Sequence, residues 1–268
     1  MAPPVPTSDG PPDEALRVSS VAAIVLCGGT SRRFGGVDKT QQLVGEHTVL
    51  DTLLDALPAE WPLTCVGVPR PTTRPVTWTR EDPPLGGPVA GIAAGLAASP
   101  QTAYVVVLAG DQPHAGPAAL AVAQALASSD AEPVVERGEA TEPTTRTGTS
   151  GRTGTTGRTG TTGRIGATAP TGATAPTSSP HGPGSASRVD AVAARGGDGR
   201  PALLLAAYRR GSLLAALRGD VRDLGVYRTL AGLHVETVDV PAAQGLDVDT
   251  PADLARAARH DAGGDPRG

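Results

Sequence analysis

The stretch VAAIVLCGGTSRRFGGVDK, Val21–Lys39, decides the fold. Its first seven residues, Val21 to Cys27, are apolar without alternation. A strand of that kind needs cover on both faces, which a parallel sheet with helices on either side provides. The remainder is a loop rich in glycine and cationic side chains, leaving directly from the strand's end. Gly28 and Gly29 let the backbone turn tightly and present N–H groups to an anion, while Arg32, Arg33 and Lys39 add positive charge. Lys39 can reach a phosphate oxygen as a point charge. Two familiar phosphate motifs do not match. A P-loop needs Gly-Lys-Ser/Thr in succession, and here Val37 and Asp38 separate Gly36 from Lys39. The dinucleotide fingerprint G-x-G-x-x-G is also missing from GGTSRRFGG. By composition alone, an ordinary strand-to-helix turn competes with a phosphate cradle.

Outward from this stretch, apolar runs alternate with helical periodicity. Thr48 is placed to cap a helix, VLDTLLDAL, with Val49, Leu50, Leu53, Leu54 and Leu57 on one face. LTCVGV (Leu63–Val68) and AYVVVLAGD, ending at Asp111, read as strands. Pro88 opens a helix of small residues, PVAGIAAGLAAS, and Pro117–Ser128 forms the next. Further on, VDAVAAR, the turn GGDG and PALLLAAYR read as a hairpin. Short helices are expected at Ser212–Leu217 and Val221–Leu230, then a strand at Leu233–Val238. A last helix starts at TPADLARAARH, where Thr250 caps, Pro251 fills the first turn and Asp253 complements the positive helix end. The pattern predicts an α/β, Rossmann-like fold, a mainly parallel mixed sheet with helices on both faces.

From about Arg137 to Ser187 the periodicity fails. Glycine recurs at every third position from Gly148 to Gly166, as in collagen, but the triplets contain no proline. A hexapeptide β-helix would need an aliphatic residue per turn, and only Ile165 qualifies. A disordered Thr/Gly/Arg-rich insertion is expected, acting as a solvated linker or as a weak anion or partner site. Residues 1–19 and 261–268 are expected to be disordered tails, and 20–260 a single domain that the segment at about 137–187 interrupts.

Composition narrows the function classes. The formal net charge of -4 argues against a general nucleic-acid binder, and 2% aromatic residues leave no stacking platforms for single strands. Cys27 and Cys65 lie in apolar runs and read as buried reduced thiols, in keeping with an intracellular compartment. The five histidines are scattered without metal-ligand spacing, which argues against zinc. The Pro-rich start carries acids before a single short apolar run, so neither a leader nor a membrane span is expected, and a cytoplasmic protein is.

Three further stretches carry candidate chemistry. In LAGDQP, Asp111 lies just past a buried strand, where open α/β sheets place ligands; a carboxylate there suits Mg²⁺, or it caps the helix near Pro117. In GLDVDTP, Asp247 and Asp249 point to one side of an extended segment, to meet metal or substrate or simply to serve as turn acids. In REDPPLGGPVAGIAAG, Gly86, Gly87 and Pro88 precede a helix whose electropositive start has room for a base or ribose, unless its small residues serve packing alone.

Taken together, these stretches resemble the molybdenum cofactor guanylyltransferases, within the nucleotidyltransferase superfamily. That family opens with L-x-G-G-x-S-x-R-M-G-x-D-K, and this chain has LCGGTSRRFGGVDK, with Phe34 for Met and one extra glycine. GPVAG stands for the family's G-P-L-A-G, GDQP for G-D-x-P, AAYRR for ALYRR, and DVDTPADL for N-x-N-T-P-x-D-L. The matches run in order over about residues 20–135 and 188–259.

The resemblance implies a nucleotidyltransferase fold and transfer of GMP from GTP to the terminal phosphate of molybdopterin, with pyrophosphate leaving. It implies that Leu26, Cys27, Gly28 and Gly29 line the nucleotide together with Arg33, Lys39 and Gly87. Lys39 and Asp111 would be the catalytic pair, with Mg²⁺ on Asp111 and Asp249. Asp82 is the candidate for the acid before GPVAG, although two additional residues intervene. Transient contact with molybdoenzyme maturation proteins belongs to the same expectation.

Departures keep alternatives open. The asparagine that usually follows the family's second strand is missing from GVPRP, and Asp247 and Asp249 replace asparagines. The insertion replaces a short connection near where the pterin would enter, and is expected to be dispensable. A relative using CTP on another phosphorylated acceptor is the nearest alternative, although LCGG fits the guanylyl branch better than the cytidylyl LAAG. A non-catalytic nucleotide-binding regulator is the second, and a scaffold acting through the repeat the third.

Overall fold

A computed structural model describes residues 20–28, 38–130 and 188–262. The chain opens with β1 (Val21–Leu26) and resumes at a 3-10 turn over Lys39–Gln41. A two-residue hairpin, β2 (Leu43–Val44) and β3 (His47–Thr48), leads into α1 (Val49–Ala56). Then come β4 (Leu63–Val66), β5 (Thr77–Thr79), α2 (Gly87–Ala98), β6 (Tyr104–Ala109) and α3 (Gly116–Ser128). After residue 188 follow β7 (Ala191–Arg195), β8 (Pro201–Arg209), α4 (Arg210–Ala216), α5 (Val226–Thr229), β9 (Val235–Val238) and α6 (Pro251–Ala262).

Seven strands form one sheet in the order β5-β4-β1-β6-β8-β7-β9. Only β8 runs against its neighbours, so the sheet is mainly parallel and mixed, as the sequence predicts. The unbroken apolar runs follow from the pleat. In β1, Val21, Ala23 and Val25 join the core beneath α1 and α3, while Ile24 faces the opposite core beneath α2. In β6, Tyr104, Val106 and Leu108 take the first face, and Val105 and Val107 the second. Two cores on alternate residues leave no position for a polar side chain. Helix α2 comes close because Gly95 has no side chain; a Cβ there would stand 2.5 Å from Ile24.

Several expectations shift. The strand expected at Leu63–Val68 stops at Val66, and the helix expected over Val221–Leu230 shrinks to Val226–Thr229. Asp223 adopts a left-handed φ of 54° and Gly225 is extended, which stops helix formation before Val226. Helix α6 runs to Ala262, two residues into the expected tail. Thr48 caps α1 as expected, accepting from the Asp51 N–H at 3.0 Å. The tail at 1–19 and the insertion at 137–187 lie outside the described residues.

The described residues on either side of the insertion are tied to each other. Asp130 and Arg188 meet at 3.1 Å, and the Asp130 carboxylate also binds Arg209 and the Tyr104 hydroxyl. Tyr104 begins β6, whereas Asp111 lies past its other end, so the roots and Asp111 stand about 20 Å apart at about 3.3 Å per residue. The AAYRR stretch is accordingly structural. Arg209 joins β8 to the end of α3, and Arg210 donates to the Leu96 and Pro100 carbonyls at the end of α2, both at 2.7 Å.

Burial would raise the Asp130 carboxyl, but hydrogen bonds from Arg209, Tyr104 and Arg188 outweigh it and hold it at about 2. A depressed folded value contributes stability that is present above the unfolded value of 3.8 and is lost as pH falls towards about 2. Asp130→Asn should therefore cost about 1–2 kcal/mol near neutrality, discounting for the solvent the pair still meets. Urea unfolding should show that gap narrowing through the acid range.

Candidate functional site

The sheet grows from β1 to β4 and β5 on one side and then crosses to β6 on the other, so the chain's direction of travel reverses between β1 and β6. Open α/β sheets bind ligands at such a point, beyond the carboxyl ends of the strands. The ends are tightly joined up to that edge. Gly110 N–H donates to the Leu26 carbonyl at 2.9 Å, and Cys27 N–H to the Val66 carbonyl at 2.8 Å. A Cβ on Gly110 would stand 2.9 Å from the Leu26 oxygen, so only glycine allows this approach. Gly28, one step further, is exposed, and among the described residues a Cβ there would meet nothing within 4 Å.

Lys39 returns to this edge. Asp38 caps its 3-10 turn, accepting through Oδ1 from the Thr40 N–H at 3.0 Å and the Thr40 hydroxyl at 2.8 Å. The Lys39 ammonium donates to Asp111 Oδ2 and, at 2.8 Å, to Asp249 Oδ1. Burial works against its charged form, but the two carboxylates outweigh it and raise the ammonium above the ordinary lysine value. Asp111 does not cap the following helix, whose N-cap is Ala115.

The DVD segment docks against the same turn. Val248 is fully buried with Val44, Val49 and Ala257, and its N–H donates to the Asp111 carbonyl at 2.9 Å. Its neighbours turn the other way, Asp249 to Lys39 and Asp247 to the Gln112 amide at 2.8 Å. Asp247 meets solvent along part of its surface, yet the protein around it and the Asp111 charge raise its carboxyl above the usual range.

Two buried oxygens here, Asp111 Oδ1 and Gln112 Oε1, have no hydrogen-bond partner among the described residues. Buried acceptors left unpaired are costly. Among the described residues no three His, Cys, Asp or Glu side chains gather into a protein-only metal cage. Magnesium does not need one, because it binds through one or two carboxylates plus substrate phosphates. Asp111, with its unpaired Oδ1, and Asp249 fit that donor set.

The structure therefore brings together Leu26, Cys27, Gly28, Lys39, Asp111 and Asp249. Gly87 opens α2 with a φ of 86°, one turn before Gly91, whose Cβ would touch Leu26 at 3.3 Å. Asp82 stands exposed on the loop before α2, and among the described residues it takes part in no ion pair of this group. Gly29 and Arg33, like Arg32, lie outside the described residues. Sequence reasoning missed Arg70. From the GVPRP stretch it forms an ion pair with Asp38 Oδ2 and donates to the Cys27 carbonyl at 3.1 Å.

A family model described as MobA-like NTP transferase domain matches residues 23–159, half of the chain. The chain belongs to this family. It is a nucleotidyltransferase of MobA-like type, and the matched residues include most of β1, Lys39 and Asp111. No curated protein matches the chain. Among solved structures, it is similar to molybdopterin-guanine dinucleotide biosynthesis protein A from Archaeoglobus fulgidus, at 17% identity and a TM-score of 0.52. That match covers 90% of this chain and 98% of the other. It is also similar to 4-diphosphocytidyl-2C-methyl-D-erythritolsynthase from Anaerococcus prevotii, at 12% identity and a TM-score of 0.51, over 92% and 99% of the two chains. At these identities the likeness shows the MobA-like fold alone. Among the described residues no helix is long and apolar enough to cross a membrane.

Proposed function

We propose that the protein transfers GMP from GTP to the terminal phosphate of molybdenum-molybdopterin, in the cytoplasm. A phosphate oxygen of the acceptor forms a bond to the α-phosphorus of GTP. The bond from that phosphorus to the α–β bridging oxygen breaks, and pyrophosphate leaves with the electron pair. The nucleophile belongs to the substrate, so the protein needs only to align the two phosphates and neutralise their charge. The observation that carries this reading is Lys39 held between Asp111 and Asp249 at the sheet's switch point, beyond the end of β1.

Gly28 gives the nucleotide access to backbone at the end of β1. Lys39 supplies a point charge for phosphate oxygens, and its raised pKa keeps it protonated across working conditions. Asp111 and Asp249 would hold Mg²⁺, which supplies Lewis-acid charge neutralisation on the phosphates when bound. The guanine preference rests on the resemblance of LCGG to the guanylyl branch.

The test is pyrophosphate release with Mg²⁺, molybdopterin and each NTP in turn. Turnover is expected with GTP. Turnover with CTP alone would overturn the base assignment, and nucleotide binding without turnover would favour a non-catalytic regulator. In the same assay a chain lacking residues 137–187 is expected to keep its turnover, because Asp130 and Arg188 meet beside the start of β6, and Asp111 lies past the other end of that strand. Loss of activity in that folded variant would assign the insertion a role.

A further inference from the structure

We propose that Arg70 is a positioning residue that sets where Lys39 stands relative to the end of β1. This inference rests on the nucleotide-transfer reading of that edge. Arg70 lies between Pro69 and Pro71, just beyond β4, and its side chain is only 11% exposed. One terminal nitrogen donates to the Cys27 carbonyl at 3.1 Å, and the other forms the ion pair with Asp38. Cys27 directly follows the last residue of β1, and Asp38 is the cap of the turn that carries Lys39. A single guanidinium therefore fixes both residues.

The grip is built from both sides. The guanidinium carbon lies 5.4 Å over the Trp78 ring of β5, which fixes the plane of the fork. On the other side, Asp38 divides its oxygens, Oδ2 to Arg70 and Oδ1 to the Thr40 N–H and hydroxyl. The line of contacts runs from the sheet through Trp78 and Arg70 to Asp38, and so to the Lys39 backbone. Among the described residues the buried Arg70 Nε has no partner, so the terminal nitrogens carry the contacts. A lysine cannot replace this arrangement, since it holds a point charge and not a planar fork over an aromatic ring.

The test uses the full chain with Arg70→Ala, Arg70→Lys, Asp38→Ala and the double Arg70→Ala/Asp38→Ala variant, each checked for fold by circular dichroism. Hydrogen exchange over residues 38–42 is expected to accelerate about tenfold in Arg70→Ala while exchange in β1 and β6 stays as in the wild type. With nucleotide present, Arg70→Ala should lower kcat by about 10- to 100-fold with a smaller change in KM, because it misplaces a group that acts on the transferring phosphates. Arg70→Lys should show the same pattern to a lesser degree. The double variant should be no worse than the more impaired single one, as expected for residues acting through one contact.

Unchanged exchange at 38–42, or acceleration spread equally over β1 and β6, would overturn the positioning role whether or not nucleotide binds. Additive effects of the two single substitutions would do the same. A wild-type protein that binds no nucleotide would sink the transfer reading instead, and the exchange measurement would still decide the role of Arg70. Should Arg70→Ala fail to fold, the exchange and kcat of Arg70→Lys decide.

Discussion

Asp111→Asn is expected to lower Mg²⁺-dependent turnover by about 10³-fold or more while leaving the fold intact. The substitution keeps the shape of the side chain and removes one charge. In the resting protein that change is modest, because Lys39 keeps Asp249 as a partner at 2.8 Å and the backbone carbonyl of residue 111 still holds the Val248 N–H. A stability loss of about 1 kcal/mol follows from weakening one partly buried ion pair, a shift of about 2–4 °C in Tm. In the reaction the effect is of another size. The carboxylate that loses its charge is the one whose buried Oδ1 has no partner among the described residues, the best donor to a cation on this edge. Loss of metal-assisted charge neutralisation is worth several kcal/mol, and about 4 kcal/mol corresponds to three decades in rate. Asp249, with its side chain 41% exposed, should give a smaller loss when changed to Asn. Pyrophosphate release measured across a Mg²⁺ titration checks both variants. A near-normal rate for Asp111→Asn would remove it from the site.

What the sequence showed of the fold was set by length of apolar run. β1 and β6 were legible because each buries both faces, so that every residue carries the signal. The hairpin of β7 and β8 was legible from GGDG between two such runs. β5 was not, because Thr77–Thr79 has three residues among prolines and arginines and becomes a strand only by pairing with β4. The same holds for β2 and β3, two residues each, whose pairing comes from the turn at Gly45.

The site divides along a similar line. Lys39, Asp111 and the DVD acids stand directly beside strong local signals, a strand end or a capped helix start, so their places followed once those elements did. Arg70 has no such signal. It sits between two prolines in a polar stretch and gains its role from Asp38 and Cys27, 32 and 43 positions away. Gln112 is similar: its partner Asp247 is 135 positions away. Long-range polar partners leave no periodicity in the chain, and only the folded geometry shows them.

Lys39→Ala is expected to move two measurements in opposite directions. Turnover should fall by about 10²- to 10³-fold, the usual consequence of removing one preorganised positive group from a charge-developing transition state. Cation affinity of the nucleotide-free protein should rise by about tenfold. In the free protein the ammonium neutralises Asp111 and Asp249 together, and Asp247 adds a third acid at the same turn. Without it, those carboxylates repel one another and attract a divalent ion more strongly. The pH dependence separates this from titration of the lysine itself. Because its folded value is raised above 10.5, what the ion pair contributes is fully present below about 10.5 and is lost only as pH rises through the folded value. The contrast between wild type and Lys39→Ala should therefore be constant across the neutral range. Isothermal titration with Mn²⁺ and pyrophosphate release, on the same preparation, make the comparison. Were Lys39 only a structural tie between the two acids, its loss would disorder them and weaken cation binding along with turnover. A fall in both would thus remove Lys39 from the chemistry, and a fall in one with a rise in the other would place it there.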